Sequence, residues 1–238
     1  MSNNIIFFRD IKFYNISPKK VLDKMIDEGG YLVAPAASSL QTIDNNRLYY
    51  RALKDSTVAI LDSGFFCILL RIFNKVKVNK LSGYLLMKSF LSKTSIKKKR
   101  ILLINPNVNE SKINYRFLKK KKFLNINSYI APQYNAPHLL DDHKLIKVIK
   151  NLKPDIILIN ISGEKQEILA RFIHKKIQNK KISIFCLGAA ISFFTGIQAR
   201  VTVSTDKFYL GWLVRWVRHP LKYCPRVFNS FKLIKLFF

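Results

Sequence analysis

Short apolar runs that alternate with segments of helical periodicity constrain the fold of this chain more than any other feature. TVAIL (57–61), ILLIN (101–105), DIILINI (155–161) and ISIFCLG (182–188) each have the length and composition of a buried strand. The stretches between them repeat apolar residues at helical spacing. Because neighbouring parallel strands are joined by helical crossovers, this order predicts an α/β fold, with a Rossmann-like, mainly parallel sheet and helices on both faces.

Local signals place several elements within this pattern. Ser17-Pro18 begins a helix that Gly29-Gly30 ends. Apolar residues at helical spacing predict one helix over 38–54. The uncharged stretch 182–199 is at the lower length limit for a membrane span. Its glycines and hydroxyl residues favour a strand, a turn and a short helix instead.

The C-terminal segment differs from the rest of the chain. From residue 207 onward it contains no acidic residue, and basic side chains alternate with aromatic ones, including Trp212 and Trp216. We therefore predict an α/β domain over 1–206 and a basic, aromatic, helical appendage over 207–238. This appendage could anchor the protein to an anionic membrane surface, or it could pack on the body with a basic outer face. The pattern favours the anchor.

The net charge is +28, from 42 basic and 14 acidic residues. Such an excess favours polyanionic partners, which include anionic lipid, phosphorylated substrates and nucleic acid. Nucleic acid is the weakest of these because no nucleic-acid-binding motif accompanies the charge. The three cysteines are far apart in the sequence, and MSNNIIFFRD lacks the pattern of a signal peptide, so a cytoplasmic protein is expected.

Three turns follow predicted strands, where ligands bind in parallel sheets: 62–64, 162–166 and 188–192. Asp62 could be a general base in a cleft or could cap the next helix. Gln166 could contact a ligand or could be an exposed residue at a helix start, with Lys165 and Glu167 as solvated neighbours.

No cofactor or metal site is expected. Adjacent side chains in Asp141-Asp142-His143 point apart, so carboxylates that stabilise a helix start explain this group better than a metal does. The sequence has no G-x-G-x-x-G, P-loop or D-x-D motif. A phosphorylated donor would have to be held by backbone N–H groups, helix N-termini and basic side chains.

Four motifs occur in one order along the chain: ILDSG (60–64), GEKQE (163–167), GAAISFFTGIQAR (188–200) and GWLVRWVRHPLKYCPR (211–226). Together they resemble the motifs of the WecG/TagA/CpsF family of bacterial glycosyltransferases. The resemblance spans roughly residues 31–228. It implies transfer of an N-acetylmannosamine-type sugar from a UDP donor to a polyprenyl-diphosphate-linked acceptor, for cell-surface polysaccharide or teichoic acid synthesis.

The resemblance also implies the mechanism and the location of the protein. The expected reaction is inverting and metal-independent and uses no cofactor, with Asp62 as the general base. The enzyme would be peripheral on the inner face of the cell membrane, would not bind nucleic acid, and could form homo-oligomers. The expected substrate-binding residues are Gln166, Lys80, Ser162, Gly163, Gly188, Arg200, Arg215, Arg218 and Arg226.

Some positions depart from the family pattern. Ala34 and Ala36 stand where the family usually has Thr and Asn, Ser192 replaces a common aspartate, and Lys80 replaces a common arginine. Ala34, Ala36 and Ser192 support an alternative function: a catalytically inactive relative that binds nucleotide or lipid as a scaffold in envelope assembly. The sequence leaves the donor sugar, the acceptor and the linkage open.

Overall fold

The structure is a computed structural model that describes residues 4–135, 140–177, 181–197 and 220–238, with the backbone alone for 220–224 and 226. Its centre is an eight-stranded sheet in the order β1-β2-β4-β3-β8-β7-β5-β6. β1 pairs antiparallel with β2, and every other pairing is parallel. The strands are β1 (Ile5–Phe8), β2 (Ile11–Tyr14), β3 (Gly30–Val33), β4 (Val58–Ile60), β5 (Arg100–Asn105), β6 (Asn125–Ile130), β7 (Ile156–Ile159) and β8 (Ser183–Cys186).

Ten α-helices are described, and most of those that connect strands begin at a side-chain cap. Ser17, Ser63, Ser82, Asn107 and Asp142 each accept a hydrogen bond from a backbone N–H of the helix that follows. The helices are α1 (Pro18–Glu28), α2 (Ala37–Leu40), α3 (Arg47–Lys54), α4 (Gly64–Phe73), α5 (Gly83–Ser92), α6 (Val108–Lys120), α7 (His143–Leu152), α8 (Lys165–Lys176), α9 (Ser192–Thr195) and α10 (Pro220–Phe231). Short 3₁₀ helices cover Thr94–Lys98, Gly188–Ala190 and Lys232–Phe237.

Helices cover both faces of the sheet, which confirms the predicted α/β class. Alternate side chains of one strand enter different cores: Leu102 and Ile104 of β5 join one apolar cluster, while Ile101 and Leu103 join the other. The first cluster includes residues of α3, α4, α7 and α8, and the second includes residues of α1, α5 and α6. Strands buried on both faces explain the continuous apolar runs in the sequence.

Two local predictions differ from the structure. The predicted helix over 38–54 is two helices, α2 and α3, because Asn46 interrupts it and caps α3 by accepting a hydrogen bond from the Tyr49 N–H. The β1–β2 hairpin was not predicted. Its two-residue turn, Arg9-Asp10, adopts positive φ angles of 48° and 59°, and it lacks the glycine that usually marks such turns in a sequence.

The end of the chain packs into the core. Leu233 and Leu236 are buried, and the Phe237 ring lies 4.7 Å from that of Phe8. The Arg9 guanidinium donates a hydrogen bond to the Leu236 carbonyl at 3.0 Å. Residues 220–238 of the predicted appendage therefore contribute to the body of the protein, whereas 207–219, with both tryptophans, lie outside the described residues. Within the described ranges, every helix is too short or too polar to cross a membrane.

Candidate functional site

A cleft of about 580 Å³ opens where β3, β4, β5, β7 and β8 end. This is the edge at which parallel sheets bind ligands, because loops and helix N-termini converge there. Six residues predicted from the sequence line this cleft although they come from distant parts of the chain: Asp62, Lys80, Ser162, Gly163, Gln166 and Gly188.

Asp62 follows β4 and is half-buried. Its Oδ1 accepts a hydrogen bond of 2.7 Å from the N–H of Gly83, the first residue of α5. The interpretation of Asp62 as the cap of α4 is wrong, because Ser63 holds that position and accepts from the Phe66 N–H. The carboxylate is therefore anchored to the N-terminus of α5 at the edge of the cleft.

Lys80 reaches the same cleft through the segment that leads into α5. The Leu81 N–H donates to the Leu61 carbonyl at 3.2 Å, which holds this segment against the end of β4. A cation and a carboxylate are thus brought to one wall, which we call the open wall and define by Asp62, Ser63, Lys80 and Tyr84. Each of these residues is half-buried.

The opposite side of the cleft contains the turn before α8. Glu164 caps α8 with a φ of 67°, a left-handed conformation that is uncommon for a residue with a side chain. Its carboxylate accepts a hydrogen bond of 3.1 Å from Asn46. A Cβ atom at Gly163 would lie 3.0 Å from the Ser39 hydroxyl oxygen, so close packing against α2 favours glycine there.

Gln166 is 4% exposed, so its interpretation as an exposed residue at a helix start is wrong. Its amide makes two hydrogen bonds, each of 2.8 Å: Oε1 accepts from the Gly188 N–H, and Nε2 donates to Oε1 of Glu167. The side chain lines the cleft and links α8 to the loop after β8. Gln166, Glu167, Gly188 and Asn160 define what we call the closed wall.

The expectation that Glu167 is a solvated neighbour of Gln166 is wrong, because Glu167 is only 1% exposed. Burial raises the pKa of its carboxyl to about 7, against the opposing effects of the Gln166 amide and the backbone N–H groups of Glu167 and Glu164. The expectation failed because the first turn of α8 is pressed against the sheet, so residues that usually face solvent at a helix start are enclosed.

The sequence interpretation missed a buried amide network beside the closed wall. Asn105 Oδ1 accepts hydrogen bonds from Asn114 at 2.9 Å and from Asn160 at 3.0 Å, and Asn105 Nδ2 donates to Ser111 at 3.3 Å. Asn160 also lines the cleft. A signal was present, since ILLIN and DIILIN both end an apolar run with an asparagine.

The C-terminal segment closes one side of the cleft. Val227, Ser230 and Phe231 of α10 line it, and the Phe231 ring packs edge-on against Phe65 at 5.2 Å. Arg226 precedes Val227 in α10, but its side chain lies outside the described part. The other predicted arginines, Arg200, Arg215 and Arg218, also lie outside the described residues.

The positions that depart from the family pattern have different environments. Ala34 and Ala36 line the cleft, whereas Ser192 is 4% exposed at the start of α9. Asp142 caps α7 by accepting from the Leu145 N–H at 2.9 Å, as expected for a carboxylate at a helix start. Across the described ranges, we find no cluster of three or more His, Cys, Asp or Glu residues that could hold a metal ion.

In a comparison with known proteins, no curated protein matches this chain. The family model described as "Glycosyl transferase WecG/TagA/CpsF family" matches residues 6–238, from the β1–β2 hairpin to the last residue. The cleft and its converging strand ends lie entirely within this match, and we conclude that the chain belongs to the WecG/TagA/CpsF family of glycosyl transferases.

Proposed function

We propose that this glycosyltransferase moves an N-acetylmannosamine-type sugar from a UDP donor to a polyprenyl-diphosphate-linked acceptor in cell-surface polysaccharide or teichoic acid synthesis. The observation that carries the proposal is the open wall, where Asp62 and Lys80 line one cleft at the carboxyl ends of the parallel strands. A carboxylate can take a proton from an attacking hydroxyl, and a cation can stabilise a diphosphate leaving group.

In the proposed reaction Asp62 removes the proton from the acceptor hydroxyl. The hydroxyl oxygen forms a bond to the anomeric carbon of the donor sugar as the bond from that carbon to the UDP oxygen breaks. Attack opposite the leaving group inverts the anomeric configuration. The negative charge that develops on UDP is offset by Lys80 and by backbone N–H groups of the 162–163 and 188 turns, without a metal ion.

The Asp62–Gly83 hydrogen bond determines the design of the decisive variant. Asp62→Asn keeps an oxygen that can accept from the Gly83 N–H at 2.7 Å but removes the base. Asp62→Ala removes both. The assay measures transfer from UDP-N-acetylmannosamine and related UDP-sugars to a short polyprenyl-diphosphate N-acetylglucosamine acceptor.

Wild-type protein is expected to show turnover, and Asp62→Asn is expected to lose at least about 100-fold in kcat, as is usual for a general base. Its melting temperature and UDP affinity should stay close to those of wild type, which shows that the cleft is intact. Turnover in Asp62→Asn near the wild-type rate would show that another group acts as the base.

We further propose that the protein is a peripheral membrane protein, with the cleft beside the lipid surface. Phe228, Phe231 and Phe238 of the C-terminal segment are exposed by 66%, 48% and 88%, and Phe73 of α4 packs at 5.2 Å from Phe238. Phe231 also lines the cleft. Apolar rings beside the opening would bring the reactive hydroxyl of a lipid-linked acceptor within reach of Asp62.

This second proposal needs point substitutions, because deleting 207–238 would also remove Leu233 and Leu236 from the core. Phe228→Ser with Phe238→Ser should weaken binding to anionic liposomes at least tenfold. Phe7→Ser is the matched control. Phe7 is 67% exposed, but it lies on the opposite face of β1 from Phe8, which packs against Phe237. Equal binding by both variants would contradict the proposed membrane surface.

A scaffold function is the second candidate, and it rests on Ala34 and Ala36 in the cleft. Methyl groups there cannot donate or accept hydrogen bonds to a sugar or nucleotide. UDP binding by calorimetry, without transfer from any donor of the panel, would favour this candidate over the glycosyltransferase.

A further inference from the structure

We infer that Glu167 is a positioning residue of the closed wall: it holds the Gln166 amide in the one orientation that fixes the Gly188 loop against the cleft. This inference deepens the proposed glycosyl transfer and rests on it only for the catalytic consequence. The hydrogen-bonded chain itself is a property of the fold.

The two hydrogen bonds of Gln166 determine which way its amide points. A backbone N–H can only donate, so Gly188 requires the amide oxygen. Oε1 of Glu167 is the acceptor of the second hydrogen bond, so it requires the amide nitrogen. A reversed amide would place oxygen against oxygen and N–H against N–H. Glu167 therefore selects the orientation that Gly188 needs.

The Gly188 loop depends on this support. Gly188 has a φ of 53°, and a Cβ atom placed there would lie 3.6 Å from both polar atoms of the Gln166 amide and 3.7 Å from the Ile161 carbonyl oxygen. The loop thus rests directly on Gln166 at the end of β8, with one backbone N–H satisfied by it. Changing the direction of the Gln166 amide would release the loop that lines the cleft.

Glu167 is itself held in place by burial. It is 1% exposed, and its Oε2 has no hydrogen-bond partner with good geometry among the described residues. A buried carboxylate that is incompletely satisfied costs stability, and a leucine of similar size would avoid that cost. The side chain is therefore better explained by what it does to Gln166 than by a contribution to stability.

The first test reads the loop without any substrate. The chain has eight glycines, so a spectrum of ¹⁵N-glycine-labelled protein is simple, and the Gly188 signal can be assigned by its loss in Gly188→Ala. Glu167→Gln keeps an oxygen that can accept from Gln166, whereas Glu167→Leu keeps only the volume. Gly188 N–H exchange with solvent should be near the wild-type rate in Glu167→Gln and at least tenfold faster in Glu167→Leu. Equal rates in the two variants would overturn the inference.

The second test reads catalysis as a double-mutant cycle of Glu167→Leu and Gln166→Met. Each single variant is expected to lose at least tenfold in kcat/KM for the donor, and the double variant should be no worse than Gln166→Met alone, because Glu167 acts only through Gln166. Glu167→Gln should recover most of the loss. Additive losses would show that Glu167 acts independently and would overturn the inference.

The two tests fail separately. Absence of transfer by wild-type protein would contradict the proposed function. The positioning role of Glu167 would then be tested by the Gly188 N–H exchange rates alone. Normal transfer by wild type with an unprotected Gly188 N–H would contradict the positioning role alone.

Discussion

The two walls of the cleft differ in the exposure and hydrogen bonding of their polar side chains. On the open wall, Asp62 and Lys80 are half-buried, and Asp62 accepts a hydrogen bond from the Gly83 backbone N–H. On the closed wall, Gln166 and Glu167 are almost fully enclosed and bonded to each other, and Gln166 is bonded to the adjacent loop. In the proposed reaction the open wall exchanges a proton and binds charge, while the closed wall is proposed to hold the Gly188 loop in place. Substitutions of Asp62 and Lys80 should therefore act on activity directly, whereas substitutions of Gln166 and Glu167 should act first on the order of the Gly188 loop and through it on activity.

The largest effect on stability is expected from the amide network behind the closed wall. Asn105→Ala removes the acceptor of Asn114 and Asn160 and leaves their amides buried without it. The free energy of unfolding should fall by about 3 kcal/mol or more, since each unsatisfied buried group costs about 1–3 kcal/mol. Urea unfolding measures this loss. Asn127→Ala, at an exposed position of β6, is the control and should change stability by less than about 0.5 kcal/mol.

The next effect is a pH dependence that belongs to Glu167. Its pKa rises from 4.5 to about 7 on folding, mainly through burial. The native state therefore binds this proton more tightly than the unfolded state does. The contribution of this protonation to the free energy of unfolding is therefore complete below pH 4.5. It is lost as the pH rises through 7, and the loss is on the order of 3 kcal/mol.

The measurement is the free energy of unfolding of wild type minus that of Glu167→Gln, at pH 5 and at pH 8. This difference should become smaller or more negative as the pH rises, because only the wild-type protein loses the proton. A difference that stays constant would contradict the assignment of this pH dependence to Glu167. Tyr49 and Cys186 also face Glu167, but burial keeps the pKa of each well above this range. Glu164 raises the pKa of Glu167 and is retained in both proteins.

A smaller effect, on activity alone, is expected at Lys80. Lys80→Ala should raise the KM for the UDP donor about tenfold, which corresponds to about 1.4 kcal/mol, while Lys80→Arg should keep the charge and recover most of the affinity. Steady-state kinetics with both variants measures the split. A fall in the free energy of unfolding without a change in KM would place Lys80 with the closed wall instead.

The smallest effect is expected at the α4 cap. Ser63→Ala removes the hydroxyl that accepts from the Phe66 N–H and should cost about 1 kcal/mol of stability. Ser63→Asn keeps a capping oxygen and should recover most of it. If Ser63→Ala lowered the free energy of unfolding as much as Asn105→Ala does, the proposed difference between the two walls would be wrong.

Much of the fold could be predicted because both periodicities are strong. Apolar runs such as DIILINI are long enough to indicate strands, and the caps Ser17 and Asp142 are local signals that indicate helix starts. The β1–β2 hairpin was missed because Arg9-Asp10 carries no glycine, and the break at Asn46 was missed because apolar spacing continues across it.

Asp62 and the strand-end turns were identified as candidates because the carboxyl ends of parallel strands share one edge, whereas Lys80 was identified only through the resemblance to the family. The sequence by itself determined the α/β class, the chain's likeness to its family and the residues that meet at this edge. Only the tertiary structure decided which of them face solvent. It enclosed Gln166 and Glu167 because α8 starts against the sheet, and it placed Leu233 and Leu236 in the core. Burial is decided by contacts between distant segments, and no local pattern contains that information.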